Sequence, residues 1–232
     1  MIEEPPLLTI YQNTPRPTNA QINALSGYPT GFVVDAMNGV GALPYDIQPL
    51  ARGQLPTRLC GPVVTAQNRP TDVLATMAAL TELQQGDVML IATGNCRACA
   101  AIGDRVIGMA KNAGAIGIVT DGLVRDVQGL IDVGLPVFSA GVSPNSPHSK
   151  GPGKVGCQVV IGDVAISPGD VLISDDDGAV VVPLHIIDDV IRRLADISKL
   201  EKALDADVIA GLTAPKSVAD LLGTDQVLYV KG

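Results

Sequence analysis

The sequence predicts an α/β fold: a layered sandwich with a central βαβ unit, a mixed sheet and a long C-terminal helix. Three stretches carry this reading. Residues 86–126 read as strand, glycine-containing loop, helix, strand and turn. Residues 156–182 hold three further β signals, and residues 184–209 form one long amphipathic pattern. In the first stretch, residues 88–92 and 115–120 are short apolar runs bounded by Gly86-Asp87, Thr93-Gly94 and Asp121-Gly122. Runs of that length, rich in Val and Ile, suit strands covered on both faces. Between them, residues 104–113 put Val106, Ile107, Met109 and Ala110 on about one face, with Asp104 at the N-cap and Gly114 as the stop. Strand, helix and strand make a right-handed crossover.

The other elements follow in order. Pro5, Pro6, Pro15 and Pro17 keep residues 1–17 an extended arm. Thr18 or Asn19 caps a short helix through Leu25, and Thr30 caps another through Met37, with Asp35 on its surface. Residues 40–59 are loop-like. Residues 62–67 are a strand, with Pro62 tolerated at its start or on an edge. Residues 71–85 are a helix capped by Thr71, with Leu74, Met77, Ala78 and Leu80 as its apolar stripe. Residues 126–133 form a short helix stopped by Gly134, residues 136–140 the next strand, and residues 143–154 a flexible Pro/Ser/Gly loop. Strands over 156–161, 171–174 and 178–182 come next. The last two are joined by Asp175-Asp176-Asp177-Gly178, which lacks the alternating ligands and terminal Glu of an EF-hand and reads as a tight turn. Residues 217–222 give a last short helix. With no internal repeat and no clear linker, residues 1–232 are predicted to be one domain.

Composition narrows the function. The mean hydropathy of +0.31 is high. No apolar run approaches the roughly 18 residues needed to span a bilayer, so the apolar content is assigned to buried sheet. A net charge of −8 argues against a nucleic-acid surface, because phosphate binding needs a basic field. The acidic, proline-broken start is unlike a signal peptide, and the four cysteines, Cys60, Cys96, Cys99 and Cys157, are read as reduced thiols in a cytoplasm. Cys96 and Cys99 have redox or half-zinc spacing, but no second pair exists, and a structural reading is preferred.

Asp104, Arg125 and Asp126 stand out. Asp104 opens the helix after the first central strand, and Arg125-Asp126 follow the second. Ligands of open α/β sheets sit beyond the carboxyl ends of the strands, so all three can reach one edge. Two carboxylates suit a hard divalent ion such as Mg²⁺, which keeps several waters. An arginine offers a flat fork to a substrate carboxylate. The helix beginning at Asp104 adds main-chain N–H groups, those of Gly103, Arg105 and Val106 among them. Such a set would hold a 2-oxo acid. Spacing alone leaves open a second reading, in which Asp104 and Asp126 are helix caps and Arg125 pairs with one of them.

The strings GDVMLIATG, then Ala100 to Asp104 as A-x-x-G-D, then GAIGIVTDGLVRD, GLPVFSAGVSP and ISPGDVLISDDDGAVVVP together resemble the RraA-like family over residues 30–210. Within it the chain is similar to metal-dependent 4-hydroxy-4-methyl-2-oxoglutarate/4-carboxy-4-hydroxy-2-oxoadipate aldolases, whose signature is Asp, twenty residues, Arg-Asp. Here those are Asp104, residues 105–124, Arg125 and Asp126. Ribonuclease E regulators of the same family usually lack the Asp after the Arg, so Asp126 favours the enzyme branch. The resemblance implies that Asp126 binds Mg²⁺ (or Mn²⁺) directly, that Asp104 holds it through water, and that Arg125 binds the substrate carboxylate. It also implies a homotrimer or homohexamer, with an acidic residue of a neighbouring subunit's C-terminal helix completing the shell. Glu201 is the candidate. The chain departs from relatives at Ile102, where a bulky aromatic is common, and in its Cys96/Cys99 loop.

The implied reaction is a retro-aldol cleavage of a 4-hydroxy-2-oxo acid to pyruvate, with oxaloacetate decarboxylation passing through the same enolate. No lysine is needed for a Schiff base, and Lys111 is placed on the solvent side of its helix. Two other readings compete. One is a non-catalytic RraA-like regulator acting by protein binding. The other is a phosphohistidine carrier, which has only His148 and His185 to use, both read as surface residues.

Overall fold

A computed structural model describes residue 4, residues 6 to 230 and residue 232; Pro5 and the first three residues of the expected arm lie outside the described residues. The chain begins with β1 (Leu8–Ile10), α1 (Asn19–Leu25), α2 (Thr30–Ala36), β2 (Gln48–Pro49), β3 (Leu59–Gln67) and α3 (Leu74–Ala79). The centre is β4 (Val88–Ala92), β5 (Ala100–Ile102), α4 (Asp104–Asn112), β6 (Gly117–Thr120), β7 (Leu123–Val124), α5 (Val127–Val133) and β8 (Val137–Ser139). Then come β9 (Gly153–Val155), β10 (Val159–Ile161), β11 (Val164–Ile166), β12 (Val171–Asp175), β13 (Gly178–Val182), α6 (Ile187–Ile209) and α7 (Lys216–Leu222).

Among the described residues, nine strands form one mixed sheet in the order β1-β9-β3-β4-β6-β8-β2, with the β12–β13 hairpin joined to β3. The pairs β3–β4, β4–β6 and β6–β8 are parallel, so the central βαβ unit is present as expected. Alternation along β4 explains the layers. Met89 and Ile91 pack with Ile107, Ala110 and Leu130 under the helices, whereas Val88, Leu90 and Ala92 pack with Val159, Ile161, Ile166 and Leu172 on the other face. A strand covered on both faces has no polar side to show, which is why it reads as an unbroken apolar run. Truncating a fully buried Ile91 to Ala would cost about 2–5 kcal/mol.

Several local expectations change. Pro62 lies inside β3, not at its start. Leu59–Pro62 pair antiparallel with β12 and Val63–Gln67 pair parallel with β4, so the missing N–H falls where the strand exchanges partners. Thr18 caps α1 as a full capping box. Thr30 is instead the first helical residue of α2, and its hydroxyl donates to Asp175. Thr71 has φ of +65° and caps nothing; Asp72 takes the Leu74 amide at 2.8 Å. The helix is shorter than residues 71–85, because 3₁₀-type bonds from Thr81 and Glu82 close it after Ala79. It buries Ala75, Thr76 and Ala79, small enough to let Gly153 of β9 approach, while Met77 turns outward. Residues 143–154 are tied down despite their composition: Asp72 accepts the Lys150 and Gly151 amides, and His148 exchanges backbone bonds with Thr71 and Val73. The Asp175 to Gly178 run is the tight turn of the β12–β13 hairpin.

The chain divides between Leu194 and Ala195 into two compact units. The second holds most of α6 and all of α7, and none of its described residues is buried. No described helix is long and apolar enough to cross a membrane.

Candidate metal and oxo-acid site

A second, smaller sheet builds the corner. β5 and β7 run parallel, Ala100 opposite Leu123 and Ile102 opposite Val124. Gly103-Asp104 follow one strand directly and Arg125-Asp126 the other. The Arg125 amide donates to the Ile102 carbonyl at 3.0 Å, which locks the two exits together. Residues of β5 were expected to be loop: three residues are too few to show a period.

Two close approaches bring in the carboxylates. Gly103, the true N-cap of α4, has φ of −138° and ψ of −174°, extended backbone that any residue adopts. It is glycine for room, since a Cβ there would collide with Asp126 Oδ2 and sit 3.2 Å from Arg125 Nε. A Cβ on Gly129 of α5 would lie 2.6 Å from the Asp104 Cβ. Asp126 therefore leans over Gly103, and Asp104 over Gly129. Asp126 adopts the left-handed region at φ of 61°, which Asp tolerates better than most residues. By position it is the N-cap of α5, but it makes no side-chain capping bond, so its carboxylate is left to the site. Asp104 is the first helical residue rather than a cap.

Arg125 Nη1 donates to Ser146 Oγ at 2.6 Å, and Nε lies 3.4 Å from Asp126 Oδ2. Those two side chains are 38% and 44% exposed. An ion pair that open is worth about 0–1 kcal/mol, so exchanging it for a ligand costs little. The second reading of the spacing is thus met in one respect: Arg125 does pair with Asp126. The helix amides differ from expectation. The Arg105 amide is taken by Asp104 Oδ1 at 2.7 Å and the Val106 amide by the Gly103 carbonyl at 3.1 Å. Among the described residues, the amides of Gly103 and Asp104 carry no hydrogen bond.

Asp104, Arg105, Val106, Gly103, Arg125 and Asp126 line one cavity of about 630 Å³, together with Met77 and Met109. Met109 was expected in the core; it is 44% exposed and forms a wall instead. It stands four residues after Arg105, on the same helical face, a signal the sequence contained. Ser146, Gly129 and Met77 were missed. Ser146 and Met77 come from distant elements, so no local pattern marks them. Cys96 and Cys99 do not line the cavity. Glu201 is half-buried on the part of α6 belonging to the second unit. Among the described residues, no three His, Cys, Asp or Glu side chains cluster as a metal site. Two half-exposed carboxylates nonetheless suit a hard ion that takes most of its shell from water.

The family model described as RraA-like, Aldolase/RraA, matches residues 30–181. A Halalkalibacterium halodurans protein named "Putative 4-hydroxy-4-methyl-2-oxoglutarate aldolase" is 33% identical over 187 residues, covering 78% of this chain and 87% of that protein. Crystal structures of an uncharacterized Pseudomonas syringae protein (TM-score 0.72, 26% identity, covering 86% of this chain and 96% of that one) and of Streptomyces coelicolor RraAS2 (TM-score 0.71, 26% identity, 82% and 98%) share the fold. RraAS2 is described as an unusual member of the RNase ES inhibitor RraA protein family. Since the matched residues make up well over half of the sequence, the chain belongs to the RraA-like family.

Proposed function

We propose that the protein is a divalent-metal-dependent class II pyruvate aldolase. It cleaves 4-hydroxy-2-oxo di- or tricarboxylic acids of the 4-hydroxy-4-methyl-2-oxoglutarate type to pyruvate and also decarboxylates oxaloacetate. The observation that supports it is the convergence of Asp104, Arg125 and Asp126 on one open cavity. The name carried by the Halalkalibacterium relative agrees. Residues 1–232 work as one domain, in a cytoplasmic homotrimer or homohexamer.

Asp126 would hold Mg²⁺ or Mn²⁺ directly, Asp104 would hold it through water, and Glu201 of the partner subunit would add an oxygen. When bound, the ion supplies Lewis-acid polarisation of the substrate's 2-oxo group. Arg125 grips the adjacent carboxylate and opposes the negative charge that grows on the pyruvate fragment as C3–C4 breaks. The Gly103 amide lies beside it. The Arg105 amide becomes available once Asp104 turns its carboxylate from that amide to water, and Val106 contributes through the positive end of α4. Asp104, whose carboxylate lines the cavity, would take up the C4-hydroxyl proton.

A coupled lactate dehydrogenase assay with 4-hydroxy-2-oxo acids and oxaloacetate tests this. Chelation with EDTA should abolish pyruvate release, and Mg²⁺ or Mn²⁺ should restore it; Asp126→Ala should not respond to added metal. The likeness to RraAS2 favours a second reading, a regulator acting through protein contacts. Under that reading no 2-oxo acid is turned over with any metal.

A further inference from the structure

We propose that Cys96 and Cys99 form a reversible dithiol–disulfide site whose oxidant is a peroxide. Both are free thiols in the loop between β4 and β5. That loop is pinned rather than loose. Asp121 accepts the Thr93 and Asn95 amides at 2.6 and 2.8 Å, and the Cys96 amide donates to Thr93 Oγ1 at 3.1 Å. Beyond it, Asn145 donates from Nδ2 to the Ala98 carbonyl and accepts the Ala100 amide, both at 3.0 Å, so Cys99 is clasped between two bonds. Both side chains are buried, 9% and 6% exposed, in a loop whose Asn95, Arg97 and Ala98 are exposed.

The two sulfurs are not equivalent. Burial pushes the Cys96 thiol up, but the amides of Ala98, Thr71 and Cys99 and the Cys99 thiol face its sulfur and hold it below the ordinary value. Cys99 is pushed up, first by burial and then by Cys96. The difference makes Cys96 the attacking sulfur and Cys99 the resolving one, the division of labour such pairs need. Cys60, with burial alone, is pushed up to about 11. A zinc reading fails for want of further ligands among the described residues.

The small exposed fraction admits a peroxide more readily than a bulky disulfide. The Cys96 thiolate attacks a peroxide oxygen and the O–O bond breaks. Hydroxide leaves and takes up a proton as water, and Cys96 becomes a sulfenic acid. Cys99 then attacks the Cys96 sulfur, the S–O bond breaks, and a second water leaves with the Cys99 proton. Two thiols are oxidised to one disulfide while the peroxide is reduced to two waters.

Trypsin cuts after Arg97, between the two cysteines, and this gives a direct test. Full-length Cys60→Ser protein, treated with hydrogen peroxide and digested, should keep the two flanking fragments joined until reductant is added, with Cys157 still open to alkylation. Cys99→Ser should stop at a dimedone-reactive sulfenic acid on Cys96. Cys96→Ser should keep its remaining thiols at the same peroxide dose. The proposal is overturned if the fragments separate without reductant, or if Cys157 oxidises as fast as Cys96. The variants leave the cavity of Asp104 and Asp126 untouched, so the outcome is independent of the proposed aldolase activity.

Discussion

Two sets of aspartates in this protein are built in opposite ways. Asp121 and Asp175 are 5% and 8% exposed, and each carboxylate is filled by donors. Asp121 takes Thr93 N, Thr93 Oγ1 and Asn95 N, and Asp175 takes Thr30 N, Thr30 Oγ1 and Asp177 N. Asp104 and Asp126 face a cavity, and each has one close partner: the Arg105 amide for Asp104, Arg125 Nε for Asp126. All four follow or end strands and look alike in the sequence. What separates them is the number of donors the fold supplies. A carboxylate saturated by amides is an anchor, and one left unsaturated at a cavity is available to a ligand.

The largest expected effect falls on the open set. Arg125→Ala should lower kcat/KM for pyruvate release by about 10²- to 10³-fold, the scale for losing one preorganised donor to developing charge. Its midpoint of urea unfolding should hold within about 0.5 kcal/mol, because the residue makes only exposed contacts. An equal loss of stability and rate would erase the distinction between the two sets. The filled set should behave in reverse. Asp121→Ala strands the Thr93 and Asn95 amides next to buried Thr93 and should cost about 3 kcal/mol, read as a shift in the same unfolding midpoint. An unfolding curve like that of the wild type would show that water replaces the carboxylate at no cost.

Asymmetry of this kind also explains what the sequence revealed. The unbroken apolar runs of β4 and β6 and the glycine stop at Gly114 have periods or boundaries, and they were readable. The Asp104 and Arg125-Asp126 pairing was read from the ends of the two central strands, whereas the structure makes it at the ends of β5 and β7, short parallel strands with no readable period. Gly129 gave no signal, and Gly103 was read for its amide and its motif rather than for the room it leaves, because the reason for both is space beside a side chain twenty or more residues away. Pro62 misled for a related reason: the rule that proline avoids central strands holds for a strand with one partner on each side, and β3 changes partners at that residue. Residues 143–154 misled by composition, since Pro, Ser and Gly say nothing of a carboxylate elsewhere that collects their amides.

That carboxylate is Asp72, and it is where the smallest effect is expected. Burial raises its carboxyl, but the Leu74, Lys150 and Gly151 amides, with His148 nearby, hold it below the ordinary value of 3.8. A folded-state pKa depressed in this way contributes stability that is fully present above the unfolded value and is lost as pH falls through the folded one. Asp72→Asn keeps the shape but cannot ionise, so its contribution stays constant with pH. Urea unfolding at about pH 6 and about pH 3 should therefore show the wild type losing more stability between the two than Asp72→Asn loses. The same loss in both proteins would mean that the amides of residues 150 and 151 do not read the charge, and that the loop is held by its backbone bonds to Thr71 and Val73 alone.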